Sequence, residues 1–98
     1  MMINEEKIEE KKPIEQIFAS KGRIKIIKLL SEKIELNISE IIKRCKSNHT
    51  ITKKHLKVLT EANIIQEKIY GRIKIYRLRT EDYRVKAIKN LIDLWEKE

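Results

Sequence analysis

The feature that most constrains this chain is a pair of β-branched runs, residues 64–69 and 73–78, set around Tyr70-Gly71-Arg72. A glycine between two such runs signals a β-hairpin. The second run alternates, with Tyr76 and Leu78 pointing one way and Arg77 and Arg79 the other. Elsewhere apolar residues recur mostly at helical spacing, so the hairpin has to lie on a helical body. Glycine and proline are confined to Gly22, Gly71 and Pro13, which leaves little room for long loops. At 98 residues the chain builds one core, not two.

The helices can be placed from caps and stripes. Pro13 suits a first helical turn, and Ile14, Ile17 and Phe18 follow on one face. Ser20 can cap the next helix, in which Ile24, Ile27 and Leu30 are joined by Ile26 and Leu29 in a wide, core-facing stripe. Residues 34–36 read as a short strand. Asn37 and Glu40 then form a capping box before Ile38, Ile41, Ile42 and Cys45. After a turn at residues 46–49, Asn48 can cap a helix running to about Ala62. Its expected buried side is Thr52, Leu56 and Leu59, with Ile51, His55 and Val58 beside them. Thr80 is the expected cap of a last helix, with the stripe Val85, Ile88, Leu91, Ile92 and Trp95 and with Leu94 alongside.

Helix, helix, short strand, two helices joined by a tight turn, hairpin, helix is the order of a winged helix-turn-helix. The expected fold class is mainly α (α+β), with a two-stranded wing and a C-terminal dimerisation helix. Residues 1–12 form a partly helical or frayed extension, 13–80 the winged-helix domain, and 81–98 the dimerisation helix packed on it. The apolar residues beyond the hairpin are more than one small core needs. They point to a homodimer through Val85, Ile88, Leu91, Ile92 and Trp95, to which Ile3 and Ile8 can add.

The formal net charge is +8, and it is localised. Residues 21–63 carry eleven Lys/Arg against four Glu, and residues 64–79 five against one, whereas both ends are slightly acidic. A basic middle is the footprint of a polyanion partner. The plainer alternative is a solvated surface in a chain rich in Lys, Glu and Ile, a composition suiting a thermophile or an AT-rich genome.

Arg23-Ile-Lys-Ile-Ile-Lys-Leu-Leu30, Ile41, Lys54-His-Leu-Lys-Val-Leu59, Gly71-Arg72 and Tyr76-Arg-Leu78 together resemble ArsR-type winged-helix regulators over roughly residues 13–80. The looser likeness extends to MarR-type regulators and small archaeal winged-helix dimers. The resemblance implies that residues 49–62 are a recognition helix with His49, Thr50, Lys53 and Lys54 towards the major groove, and that Lys68, Arg72 and Lys74 lie on a DNA-contacting wing. It also makes the closing helix the dimer helix. The metal-sensing members carry a cysteine pair where Asn37 and Ser39 stand here, so metal sensing does not carry over. Lys46 and Asn63 replace the family's frequent glycines, and Ile51-Thr52 inverts the usual Thr-Val order.

The expected activity is duplex DNA binding by a transcriptional regulator of the repressor kind. His49, Thr50, Lys53, Lys54 and Lys57 form the outer face of the recognition helix. That face holds lysines but no arginine, the commonest bidentate guanine reader, so strong backbone binding with modest discrimination is expected. A low-specificity architectural nucleoid protein would use the same face. A winged-helix protein-interaction module would want an apolar or mixed face there. No Gly-rich phosphate loop, paired carboxylates or Ser/His/Asp set supports an enzyme. No metal or cofactor is expected. Cys45 lies on an apolar stripe, and His49 and His55, six apart on one helix, turn away from each other. His55 reads as a core-edge residue bonded to backbone. A lone cysteine leaves only an intersubunit disulfide to consider. Without an apolar run of about 20 residues or a signal-peptide core, a cytoplasmic protein is expected. Nothing in the sequence names a small-molecule effector.

Overall fold

A computed structural model describes residues 12–33 and 35–97. In chain order the elements are α1 (Ile14–Phe18), α2 (Lys21–Glu32), β1 (Leu36–Asn37), α3 (Ile38–Cys45), α4 (His49–Glu61), β2 (Ile65–Tyr70), β3 (Ile73–Leu78) and α5 (Tyr83–Glu96). The readings made for residues 1–11, Ile3 and Ile8 among them, and for Ile34 lie outside the described residues.

Local chemistry explains most boundaries. Pro13 caps α1 in an extended conformation, and the Ser20 hydroxyl accepts the Arg23 amide at 3.3 Å to start α2. Asn37 Oδ1 accepts the Glu40 amide at 2.9 Å. The box is not reciprocal, because the Glu40 carboxylate turns instead to Arg44 at 3.2 Å, one helical turn on. Asn48 Oδ1 caps α4 by accepting the Ile51 amide at 2.9 Å. Lys46 ends α3 in the left-handed region at φ 53°, and Asn63 follows α4 at φ 62°. Ile64 N donates to Leu59 O at 3.0 Å, the six-to-one bond of a Schellman ending.

One cap falls elsewhere than expected. Asp82, not Thr80, opens α5: its Oδ1 accepts the amides of Arg84 at 2.8 Å and Val85 at 3.3 Å. Those donors hold the Asp82 carboxyl below its usual range. A carboxylate takes two amide donors at a helix start better than a hydroxyl does, so the helix begins later. Thr80 sits in the preceding turn, its amide bonded to Leu78 O at 2.9 Å.

The strands form one antiparallel sheet in the order β1-β3-β2. β2 pairs with β3 from Ile65↔Leu78 to Tyr70↔Ile73, which is the two-stranded wing. β1 adds Leu36↔Tyr76 and Asn37↔Ile75 on the other edge of β3. Asn37 therefore serves both as the last residue of the strand and as the cap of α3.

A single cluster of buried side chains joins the layers: Ile26, Ile27 and Leu30 of α2, Ile41 of α3, Leu56 and Leu59 of α4, Tyr76 and Leu78 of β3, and Val85 of α5 among them. Each buried aliphatic side chain contributes about 1.5–3 kcal/mol of transfer free energy. Val85, expected on an intersubunit face, is only 2% exposed and belongs to the core of the chain itself. The stripe on α5 therefore splits: Val85 faces inward, Ile88 and Ile92 are half-buried, and Leu91, Leu94 and Trp95 lie open.

Candidate nucleic-acid interface

α3, its left-handed Lys46 turn and α4 form the helix-turn-helix. The rotation of α4 is fixed by Thr52, Leu56 and Leu59, all buried. That orientation exposes His49, Thr50, Lys53, Lys54 and Lys57 together. None of these three lysines is ion-paired among the described residues. The nearest carboxylate along the same helix face, Glu61, is in the last turn and pairs with Lys12 at 3.2 Å. The bare N-terminal half of the helix thus combines its capped amides and dipole with unneutralised cations, an arrangement that favours an anion.

Thr52 takes the inward position and Ile51 is left exposed. The Thr52 hydroxyl is buried and has no hydrogen-bond partner among the described residues, which costs about 1–3 kcal/mol for a group of this kind. His55 fixes α4 against α2 by a contact the sequence did not suggest. Its ring lies so close to Gly22 that a Cβ there would sit 2.5 Å from Nε2. The expected backbone partner is replaced by Arg23, whose Nη1 lies 3.4 Å from Nδ1. A guanidinium only donates, so Nδ1 accepts. Desolvation, then the Arg23 charge, hold the His55 pKa below its ordinary value.

The wing residues do not act as one set. Lys68 donates to Glu35 at 2.6 Å, which raises its pKa and occupies its charge. Alternation also places Lys68 and Lys74 on opposite faces of the hairpin, as the partners Lys68↔Ile75 and Ile69↔Lys74 require. Arg72 and Lys74, at and beside the Gly71 turn, are exposed and make no ion pair among the described residues. Lys68 is therefore a partnered residue on the wing, whereas Arg72 and Lys74 are exposed cations without an ion pair among the described residues.

Among the described residues no group of three His, Cys, Asp or Glu side chains that could hold a metal ion is assembled. Burial pushes the Cys45 thiol up, which disfavours the reactive thiolate. None of the helices in the described residues is long and apolar enough to cross a membrane.

Sequence reasoning missed the tip of the wing. Ile69, Tyr70 and Ile73 are all more than half exposed. Their β-branched and aromatic character suited a strand, and nothing in the run distinguished the buried base from the bare end. It also missed an apolar groove of about 280 Å³ between α2 and α5, lined by residues including Phe18, Ile24, Leu91 and Trp95 and bordered by the Lys28–Glu96 pair at 2.9 Å.

Comparison with known proteins agrees with this architecture. Residues 20–67 match the family model described as bacterial regulatory protein, arsR family. The chain is similar in structure to HlyU from Vibrio cholerae, with a TM-score of 0.76 and 20% identity over 100% of both chains. It resembles the transcriptional repressor BigR from Xylella fastidiosa, with a TM-score of 0.71 and 17% identity over 85% of this chain and 82% of that one. The homodimeric winged helix-turn-helix DNA-binding domain Mb0332 from Mycobacterium bovis gives a TM-score of 0.68 and 20% identity, over 82% of this chain and 71% of that one. At these identities the structural likeness establishes the fold. No curated protein matches the chain.

Proposed function

Taking residues 20–67 as an ArsR-type helix-turn-helix, we propose that the chain binds duplex DNA as a homodimer and represses transcription. The observation that carries this reading is the face His49, Thr50, Lys53, Lys54 and Lys57: exposed on a helix whose opposite side is locked into the core, its lysines without an ion pair among the described residues. An α-helix fits the major groove, where base edges are read. Thr50 can meet a thymine methyl or a base acceptor, and the lysines reach phosphates or guanine acceptors. Arg72 and Lys74 contact the backbone or minor groove alongside.

The dimer rests on α5. Leu91, Leu94 and Trp95 are 50%, 72% and 80% exposed, and Leu91 and Trp95 line the apolar groove against α2. A second copy related by a two-fold axis would cover these faces and set two copies of α4 about one DNA turn apart. Mb0332, similar in fold, is a homodimer by its own description.

The test is binding to a random-sequence 30-base-pair duplex across a salt series. The parent is expected to bind with a steep salt dependence. Lys53→Ala/Lys54→Ala should bind at least about 10-fold more weakly with a shallower slope, because each phosphate contact removed takes about 0.9 from it. A double variant indistinguishable from the parent would remove α4 from the interface.

A further inference from the structure

The wing tip carries large apolar side chains on both of its faces. Ile69 is 62% exposed, Tyr70 55% and Ile73 54%. The register sets Ile69 opposite Lys74 and Tyr70 opposite Ile73. Side chains alternate along a strand, so Ile69 stands on one face and Tyr70 and Ile73 on the other. β1 supports β3 only as far as Ile75. Beyond it the two-stranded tip projects alone, turning at Gly71, where φ is 62°.

A partner with a flat surface would cover one face of such a ribbon and leave the other wet. A slot covers both. The charge of the tip narrows what the slot is made of. From Lys68 to Arg79 there is no carboxylate in the sequence, and Arg72 and Lys74 flank the apolar residues without ion pairs among the described residues. A slot walled by anions is a nucleic-acid groove, with phosphates on the rims and base edges at the floor, and the apolar faces of the bases come within reach where a step is parted. Apolar side chains inserted there part a base step and kink the duplex towards the major groove.

Resting on the DNA-binding reading, we infer that the wing tip is a wedge: Ile69 on one face and Ile73 on the other, steadied by Arg72 and Lys74 on the phosphates, enter the minor groove and part the base steps on either side of the tip, so that the protein bends its DNA. The unstacking cost is met by burying the apolar tip, and it is lowest at flexible pyrimidine–purine steps. The wedge thereby favours sites that bend easily without any hydrogen bond to a base.

The experiment compares the parent, Ile69→Ser/Ile73→Ser and Arg72→Ala on a 30-base-pair duplex labelled at both ends for energy transfer. A second duplex carries two central mismatched pairs, which lower the cost of a kink. Both isoleucines are exposed, and circular dichroism should show unchanged folding. The parent is expected to shorten the end-to-end distance and to prefer the mismatched duplex by about 5-fold. Ile69→Ser/Ile73→Ser should bind about 5-fold more weakly with the same salt slope, leave the duplex straight and lose the preference, because an apolar contact releases no counterions. Arg72→Ala should lower the salt slope. A parent that binds without bending, or a double variant that bends as the parent does, overturns the wedge and leaves the DNA-binding reading standing. A double variant that binds and bends normally but loses self-association in sedimentation assigns the tip to protein contact. A parent that binds no duplex overturns both readings.

Discussion

α4 and α5 are helices of 13 and 14 residues, each opened by a side-chain cap and each with one side turned into the same core. Their outer faces are opposites. α4 shows lysines with no carboxylate partner among the described residues, whereas α5 shows Leu91, Leu94 and Trp95 and ties its Lys89 to Asp93 at 2.9 Å. Bare cations gain little from the protein itself and much from a polyanion. Bare apolar surface gains from another apolar surface with the same shape. The two outer faces thus differ in chemistry, and on α5 the outward face begins where Val85, Ile88 and Ile92, turned to the core, give way to the open Leu91, Leu94 and Trp95.

The comparison can be broken most forcefully at α5. Leu91→Glu/Trp95→Glu is expected to weaken self-association by at least about 100-fold, as loss of central apolar anchors does, while the circular dichroism spectrum stays that of the parent. Analytical ultracentrifugation reads the result, and an unchanged sedimentation profile would detach α5 from any interface.

A smaller effect sharpens the α4 side. Thr52→Val replaces an unpartnered buried hydroxyl by a methyl of the same shape, and should stabilise the fold by about 1–2 kcal/mol without changing DNA affinity. Urea denaturation measures the first and the salt-series binding assay the second. No gain in stability would mean that the hydroxyl is satisfied.

The smallest effect belongs to His55. Its pKa is lower folded than unfolded, so the unfolded chain takes up the proton first and acid favours unfolding. The His55 contribution is complete above the unfolded value near 6.5 and is lost as pH falls through the lower folded value. Thermal melts at pH 7.5 and 5.5 should therefore show a larger loss for the parent than for His55→Gln. Equal losses would mean that the proton is taken up elsewhere.

How much of this was legible depended on whether a signal was local. The Asn37 and Asn48 caps, the buried trio of α4 and the hairpin with Gly71 are written in adjacent residues or in a short period, and the structure reproduces them. Asp82 was overlooked because Thr80 offered a cap two residues sooner, and the choice turns on which oxygen meets two amides. Lys68 looked like an open wing cation because its partner, Glu35, reaches it only through the folding of residues far apart in sequence. The stripe on α5 could not be divided between its own core and a second copy, since both ask for the same residue types at the same spacing. Gly22 gave no sign in the sequence that it is the clearance for His55.

That clearance has a mechanical consequence. α2 is a helix of 12 residues, with Gly22 against the α4 histidine near one end and Lys28 tied to α5 about a turn and a half further on. At 1.5 Å per residue, the two points are about 9 Å apart, so tilting the helix by about 10° around Gly22 shifts the α5 contact by roughly 1.5 Å. The Gly22–His55 contact leaves no space for a Cβ, whereas the Lys28–Glu96 pair is half-exposed and held by flexible side chains, so a small tilt of α2 is resisted more firmly at its α4 contact than by the ion pair at α5.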